Sequence, residues 1–130
     1  MTAEANTLQR LNAIVEAAPV GMFNRTKPNH ELSSRPLFCA GMDVDCLWFV
    51  AQRSQLVVHE TAVAGRANVT FSDHAGRRYA SVGGRAELAS DGMLLQKLWR
   101  PELQTWIPGG LEQDDLVILR VDLDHAEVWE

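Results

Sequence analysis

Lysine is nearly missing from this chain. Lys27 and Lys97 are the only two among 12 basic residues, so any anion site has to be built from guanidinium forks rather than ammonium groups. Basic charge is also scarce overall. Seventeen Asp and Glu leave a formal net charge of −5 and a pI near 5.3, and no local cluster of Lys and Arg reverses that sign, which argues against a nucleic-acid groove. No apolar run approaches the length of a membrane span, and Met1-Thr2-Ala3-Glu4-Ala5-Asn6 lacks the basic and apolar regions of a secretion signal. The expectation is a cytoplasmic protein without a membrane or nucleic-acid partner. Cysteine is limited to Cys39 and Cys46, too few for a disulfide scaffold and too far apart for a metal or redox pair, so both are expected to be reduced and buried.

Other absences narrow the chemistry further. His30, His59, His74 and His125 show no zinc-ligand spacing, and no metal is assigned. The pairs Asp43 with Asp45 and Asp122 with Asp124 lack the glycine and distal glutamate of a calcium loop. Ser33, Ser34 and Ser81 do not sit in a nucleophile elbow, so hydrolase chemistry has no support and no catalytic residue is assigned. There is no internal repeat or low-complexity linker. A length of 130 residues suits one domain with a single core.

What is present is a succession of short strands. Thr7 can cap a first helix with Leu8, Leu11 and Val15 on one face, closed by Pro19, as a lid or brace. Strands are predicted over Val20 to Arg25, Glu31 to Ala40, Cys46 to Gln52, Ala67 to Ser72, Tyr79 to Leu88 and Leu116 to Asp122, with a last one ending at Trp129. Lys27-Pro28-Asn29-His30 and Ser72 to Gly76 read as hairpin turns, and Gly41 to Asp45 as a longer connection. Ser54 can cap a helix over Gln55 to Ala64 that Gly65 ends, and a further helix is expected from Met93 to Trp99, broken by Pro101. The early links are too short for helical crossovers. The fold class is therefore mainly β, a small antiparallel barrel with flanking helices.

The most informative stretch is Cys46-Leu47-Trp48-Phe49-Val50-Ala51-Gln52-Arg53-Ser54, an apolar strand that stops in a polar turn. Alternation puts Trp48 and Val50 on one side of the strand and Phe49 and Ala51 on the other; core packing is the commonest role for such a run. Arg53 and Ser54 follow at the start of a helix, where free amides and the helix dipole favour a phosphate. Arg35 precedes Pro36 in a neighbouring strand, and a proline there removes a ladder hydrogen bond and confines it to an edge or bulge. An arginine beside a broken ladder can reach a ligand, or can form a surface ion pair. Gly83-Gly84 lies inside a strand, so it marks a bulge or a close approach between strands rather than a dinucleotide loop. Trp106, in Trp106-Ile107-Pro108-Gly109-Gly110, puts an indole on a loop where it can pack in the core, stack on a planar ligand or meet a second subunit.

Six segments in order carry a family likeness: Ser34-Arg35-Pro36-Leu37, Leu47-Trp48-Phe49-Val50, Ala67 to Asp73, Tyr79 to Leu88, Leu98-Trp99-Arg100-Pro101 and Ala126-Glu127-Val128-Trp129. Together they resemble the general stress protein branch of the pyridoxamine 5′-phosphate oxidase-like FMN-binding split barrels. The resemblance implies a six-stranded antiparallel split barrel, a homodimer, and FMN held between subunits in a redox role with an unknown substrate. It implies that Arg35, Arg53 and Ser54 bind phosphate, that Trp48, Phe49 and Val50 line the ring and ribityl chain, that Pro36 and Leu37 offer backbone contacts, and that Trp106 arrives from the second subunit. Two positions depart from the family pattern. Ala51 replaces a threonine, and Gln55 or Leu56 stands at the position of a lysine, both of which serve the phosphate elsewhere. Pyridoxamine phosphate oxidases proper carry a longer carboxyl-terminal segment than this chain, which tells against that activity. The departures keep open a flavin-free dimer that binds another small molecule or a protein partner, and a deazaflavin is a third option.

Overall fold

The computed structural model describes residues 5–54, 65–112 and 114–130. Helix α1 (Ala5–Ala17) precedes strands β1 (Val20–Thr26), β2 (Leu32–Asp43), β3 (Cys46–Gln52), β4 (Gly65–Asp73) and β5 (Arg78–Ala89). Helices α2 (Gly92–Leu98) and α3 (Leu103–Trp106) and a 3₁₀ turn (Gly110–Glu112) then lead to β6 (Leu116–Trp129). All strand pairings are antiparallel, and the strands close into a barrel in the order β1-β2-β3-β6-β5-β4. The expected six-stranded antiparallel barrel is thus present. No helix among the described residues is long and apolar enough to cross a membrane. The helix expected over Gln55 to Ala64 lies outside the described residues.

Alternation decides which side chains fill the barrel. Leu37, Cys39, Leu47, Phe49, Ala51, Val69, Phe71, Val82, Leu119 and Val121 point inward and are buried. Leu11, Ile14 and Val15 of α1 join this core, so α1 braces the barrel. Each fully buried leucine or phenylalanine contributes about 1.5–3 kcal/mol of transfer free energy. Helix α1 begins before Thr7, which is therefore a first-turn residue and not its cap. On α2 the cap is Asp91, whose carboxylate accepts from the amides of Met93 and Leu94, each at 3.1 Å.

Two bulges explain where strand boundaries differ from the pattern-based expectation. In β2 the register shifts between Cys39 and Gly41, leaving Ala40 extra, so the inward set passes from Leu37 and Cys39 to Met42. Gly41 to Asp43 continue the strand instead of forming a loop, and only Val44 and Asp45 make the turn to β3. In β6 the shift opposite Gly83 and Gly84 leaves Asp124 extra, and the inward set passes from Leu119, Val121 and Leu123 to Ala126 and Val128. The two strands predicted before and after this point are one 14-residue strand. Its polar Asp122-Leu123-Asp124-His125 segment resembles a turn in composition but is a bulge in fact.

Gly84 is fixed by this bulge. A Cβ there would lie 1.9 Å from the carbonyl oxygen of Asp122, a backbone atom that cannot step aside. Gly84→Ala is expected to cost about 3 kcal/mol, the upper end for overpacking, read as a lower urea midpoint with an unchanged m-value.

Both cysteines are free and buried. Burial pushes the Cys39 thiol up to about 12 and the Cys46 thiol up to about 11. The thiolate is the reactive form, so neither thiol should react with iodoacetamide at pH 8 in the folded protein, and both should react once urea unfolds it. Fast labelling of the native protein would contradict this placement.

Candidate functional site

The ladder between β2 and β3 stops early. It runs from Asp43–Cys46 to Cys39–Phe49 and goes no further, although both strands continue. Beyond that point Leu32 to Phe38 pair only with β1, and Val50 to Gln52 pair only with β6. Pro36 stands in this stretch, where a residue without an N–H loses no bond to β3. The barrel is therefore closed at one end and parted between β2 and β3 at the other.

A cleft of about 250 Å³ occupies the parting, lined by Arg35, Pro36, Leu37, Phe38, Val50, Ala51, Trp106 and Ile107. Other surface clefts have about the same volume, so size does not single it out. Its chemistry does. The walls are strand edges with no ladder partner facing the cleft, and the rest of the lining is apolar apart from Arg35. A second cluster, Phe38, Ala40, Val50, Leu103 and Ile107, with Leu95, Leu98, Trp99 and Leu116 packed against it, sits on the outer side of the junction beside the cleft. Leu103 and Ile107 are anchored there at 0% and 2% exposure, and the chain between them carries Trp106, 39% exposed, to the cleft wall.

The structure brings together six of the ten residues singled out from sequence: Arg35, Pro36, Leu37, Val50, Ala51 and Trp106. Trp106 reaches the cleft of its own chain. Phe49 does not line it, because its ring is fully buried among the inward side chains of the barrel. Trp48 shares the outer face with Val50 but lies further along β3, opposite Arg120, whose guanidinium sits 5.3 Å from the indole centroid. Phe38 and Ile107 were missed. Alternation from Leu37 and Cys39 puts Phe38 on the outer face, and Ile107 stands next to the more conspicuous indole of Trp106.

Arg53 and Ser54 also lie outside the cleft lining. The Arg53 guanidinium donates to Ser90 Oγ at 3.2 Å, and its amide donates to the Asp115 carbonyl at 2.7 Å. Ser54 Oγ donates to Asp115 Oδ2 at 2.7 Å. Both residues are thus tied to the segments flanking α2 and β6, beside a carboxylate. Among the described residues that line the cleft Arg35 is the one ionisable group, and the cleft can hold and orient a flat, hydrogen-bonding ring.

Comparison with known proteins bears on this arrangement. The family model described as pyridoxamine 5′-phosphate oxidase like matches residues 6–130. No curated protein matches the chain in sequence. Among solved structures, a protein from Clostridium acetobutylicum related to general stress protein 26 is 16% identical with a TM-score of 0.80, covering 98% of this chain and 91% of its own. General stress protein 26 from Bacillus anthracis is 18% identical with a TM-score of 0.76, covering 92% and 91%. A general stress FMN/FAD binding protein from Xanthomonas citri is 21% identical with a TM-score of 0.75, covering 97% and 89%. These likenesses concern the fold, and the family match extends over nearly the whole sequence. The chain belongs to the pyridoxamine 5′-phosphate oxidase-like family.

Proposed function

We propose that the protein is a cytoplasmic flavin-binding redox protein, with FMN as the flavin, seated in the β2–β3 cleft of a homodimer. The observation that carries this reading is the cleft itself: two strand edges with no ladder between them, an apolar wall of Pro36, Val50 and Ile107, an indole at the rim and one guanidinium. A planar ring with a hydrogen-bonding edge fits such a gap, because bare strand edges satisfy polar ring atoms while the wall buries the apolar faces. Arg35 is the residue for the phosphate. When bound, the flavin supplies hydride or electron transfer, and the chain's own residues bind and orient it. The similar Xanthomonas citri protein is described as FMN/FAD binding, which favours the same reading.

The outer face of the barrel supports the dimer. Met22, Asn24, Ser34, Pro36, Asn68, Thr70 and Ser81 share one face by register, and none is charged, in a chain with 22% charged residues. Depletion of charge marks the centre of a protein interface. Its polar members satisfy one another: Ser34 Oγ donates to Asn24 Oδ1 at 2.6 Å, Asn24 Nδ2 to Asn68 Oδ1 at 3.1 Å, and Asn68 Nδ2 to Ser81 Oγ at 2.9 Å. Pro36 belongs to both this face and the cleft, so a second copy docked here would roof the cleft. A cleft of about 250 Å³ falls short of the roughly 300–1,000 Å³ of typical ligand pockets, consistent with a site completed by a partner.

Titration should quench added FMN fluorescence, and Arg35→Ala should weaken binding about tenfold, the scale of one charge-assisted hydrogen bond. Absence of any quenching would end the flavin assignment. Native mass spectrometry should show two chains per particle, and Met22→Lys should shift the population to single chains. One observation favours a second reading: the Ser54 hydroxyl is tied to Asp115 rather than offered to a phosphate. A dimer carrying a co-purified non-flavin ligand in the same spectra would support that alternative, a flavin-free binding protein.

A further inference from the structure

We infer that Gln104 is a positioning residue of the cleft: its side-chain amide clasps the segment that carries Trp106 and holds the indole at the cleft wall for the face of a flavin ring. This rests on the flavin assignment above. The segment has little to hold it from within. Helix α3 is a single turn of four residues, and its N-cap, Glu102, makes no side-chain capping bond, so packing has to supply what propensity does not. Packing acts on one side only. Leu103 and Ile107 are buried and the Ile107 amide donates to the Leu103 carbonyl at 2.8 Å, whereas Gln104, Thr105, Trp106 and Pro108 are exposed.

The outer side is closed by Gln104. In a continued helix the amide of residue 108 would donate to the Gln104 carbonyl, but Pro108 has no N–H and ends that pattern. The Gln104 side chain bridges the same interval from the other direction, donating from Nε2 to the Pro108 carbonyl at 2.9 Å. Gly110 makes room for it. It is buried with a φ of 67°, and a Cβ there would lie 3.1 Å from Gln104 Oε1 and 3.3 Å from Nε2. Its amide donates to the Ile107 carbonyl at 2.8 Å, so the chain is tied back on both sides of Trp106. The indole lines the cleft and is 39% exposed, and a side chain so open has freedom to lose when a ligand packs on it. Holding its backbone beforehand removes part of that cost, which is affinity gained by preorganisation. A ring stacked on the indole then keeps contact area that a swinging loop would give up.

Two measurements on the full-length protein test this: FMN titration by flavin fluorescence, and acrylamide quenching of indole emission without ligand, with Trp106→Phe giving the share that belongs to Trp106. Gln104→Ala should weaken FMN about fivefold, the scale of one neutral hydrogen bond, and should make Trp106 more accessible to acrylamide. Gln104→Glu keeps the shape but cannot donate when ionised, and should do the same. In a Trp106→Ala background, Gln104→Ala should change FMN binding by less than about twofold, because a residue that acts through the indole has nothing left to act on. Unchanged affinity and unchanged quenching in Gln104→Ala would overturn the inference, and so would the full loss of about fivefold in the Trp106→Ala background. Failure of the unmodified protein to bind FMN would overturn the flavin assignment and the ligand part of this inference together, while the acrylamide comparison would still decide whether Gln104 holds the indole.

Discussion

The parting of β2 from β3 is the constraint on which the site depends. A closed barrel has no free edges, yet here both strands run on past their last shared pair, Cys39–Phe49, each held only from its other side. The parting is stable because each strand keeps one complete ladder and because Leu103 and Ile107 plug the outer side of the junction. Pro36 favours the open arrangement, since restoring the ladder would gain nothing at a residue without an N–H. A binding cleft is thus made without a long loop, from backbone that the barrel already fixes.

Electrostatics around the cleft are set by neighbours rather than by lining residues. The chain is acidic overall and nearly devoid of lysine, and among the described lining residues the cleft's one guanidinium is that of Arg35. Asp115 organises the end of β3 by accepting from both the Arg53 amide and the Ser54 hydroxyl.

Much of this was legible in the sequence because a barrel strand is written in alternation. Trp48 and Val50 outward against Phe49 and Ala51 inward, the edge character of Pro36 and the bulge at Gly83-Gly84 follow from period-two patterning and missing donors. What alternation cannot show is a change of phase. Ala40 and Asp124 each insert one residue, and beyond each the inward set moves to the other parity. That shift made one long strand look like two. The contact that holds Ser54 outside the cleft lining was illegible for a different reason: Asp115 is 61 positions from Ser54 in sequence and beside it in space.

Strand β6 carries a consequence for how the molecule is made. It lies between β3 and β5 and is the last strand to be synthesised. Until Leu116–Trp129 emerges from the ribosome, the other strands can form only an open sheet whose β3 and β5 margins, with Leu47, Phe49, Val82 and Ala86, face water. Nascent chains on one messenger would present matching sticky margins to each other. The barrel is therefore most exposed to misassembly in the interval before β6 arrives.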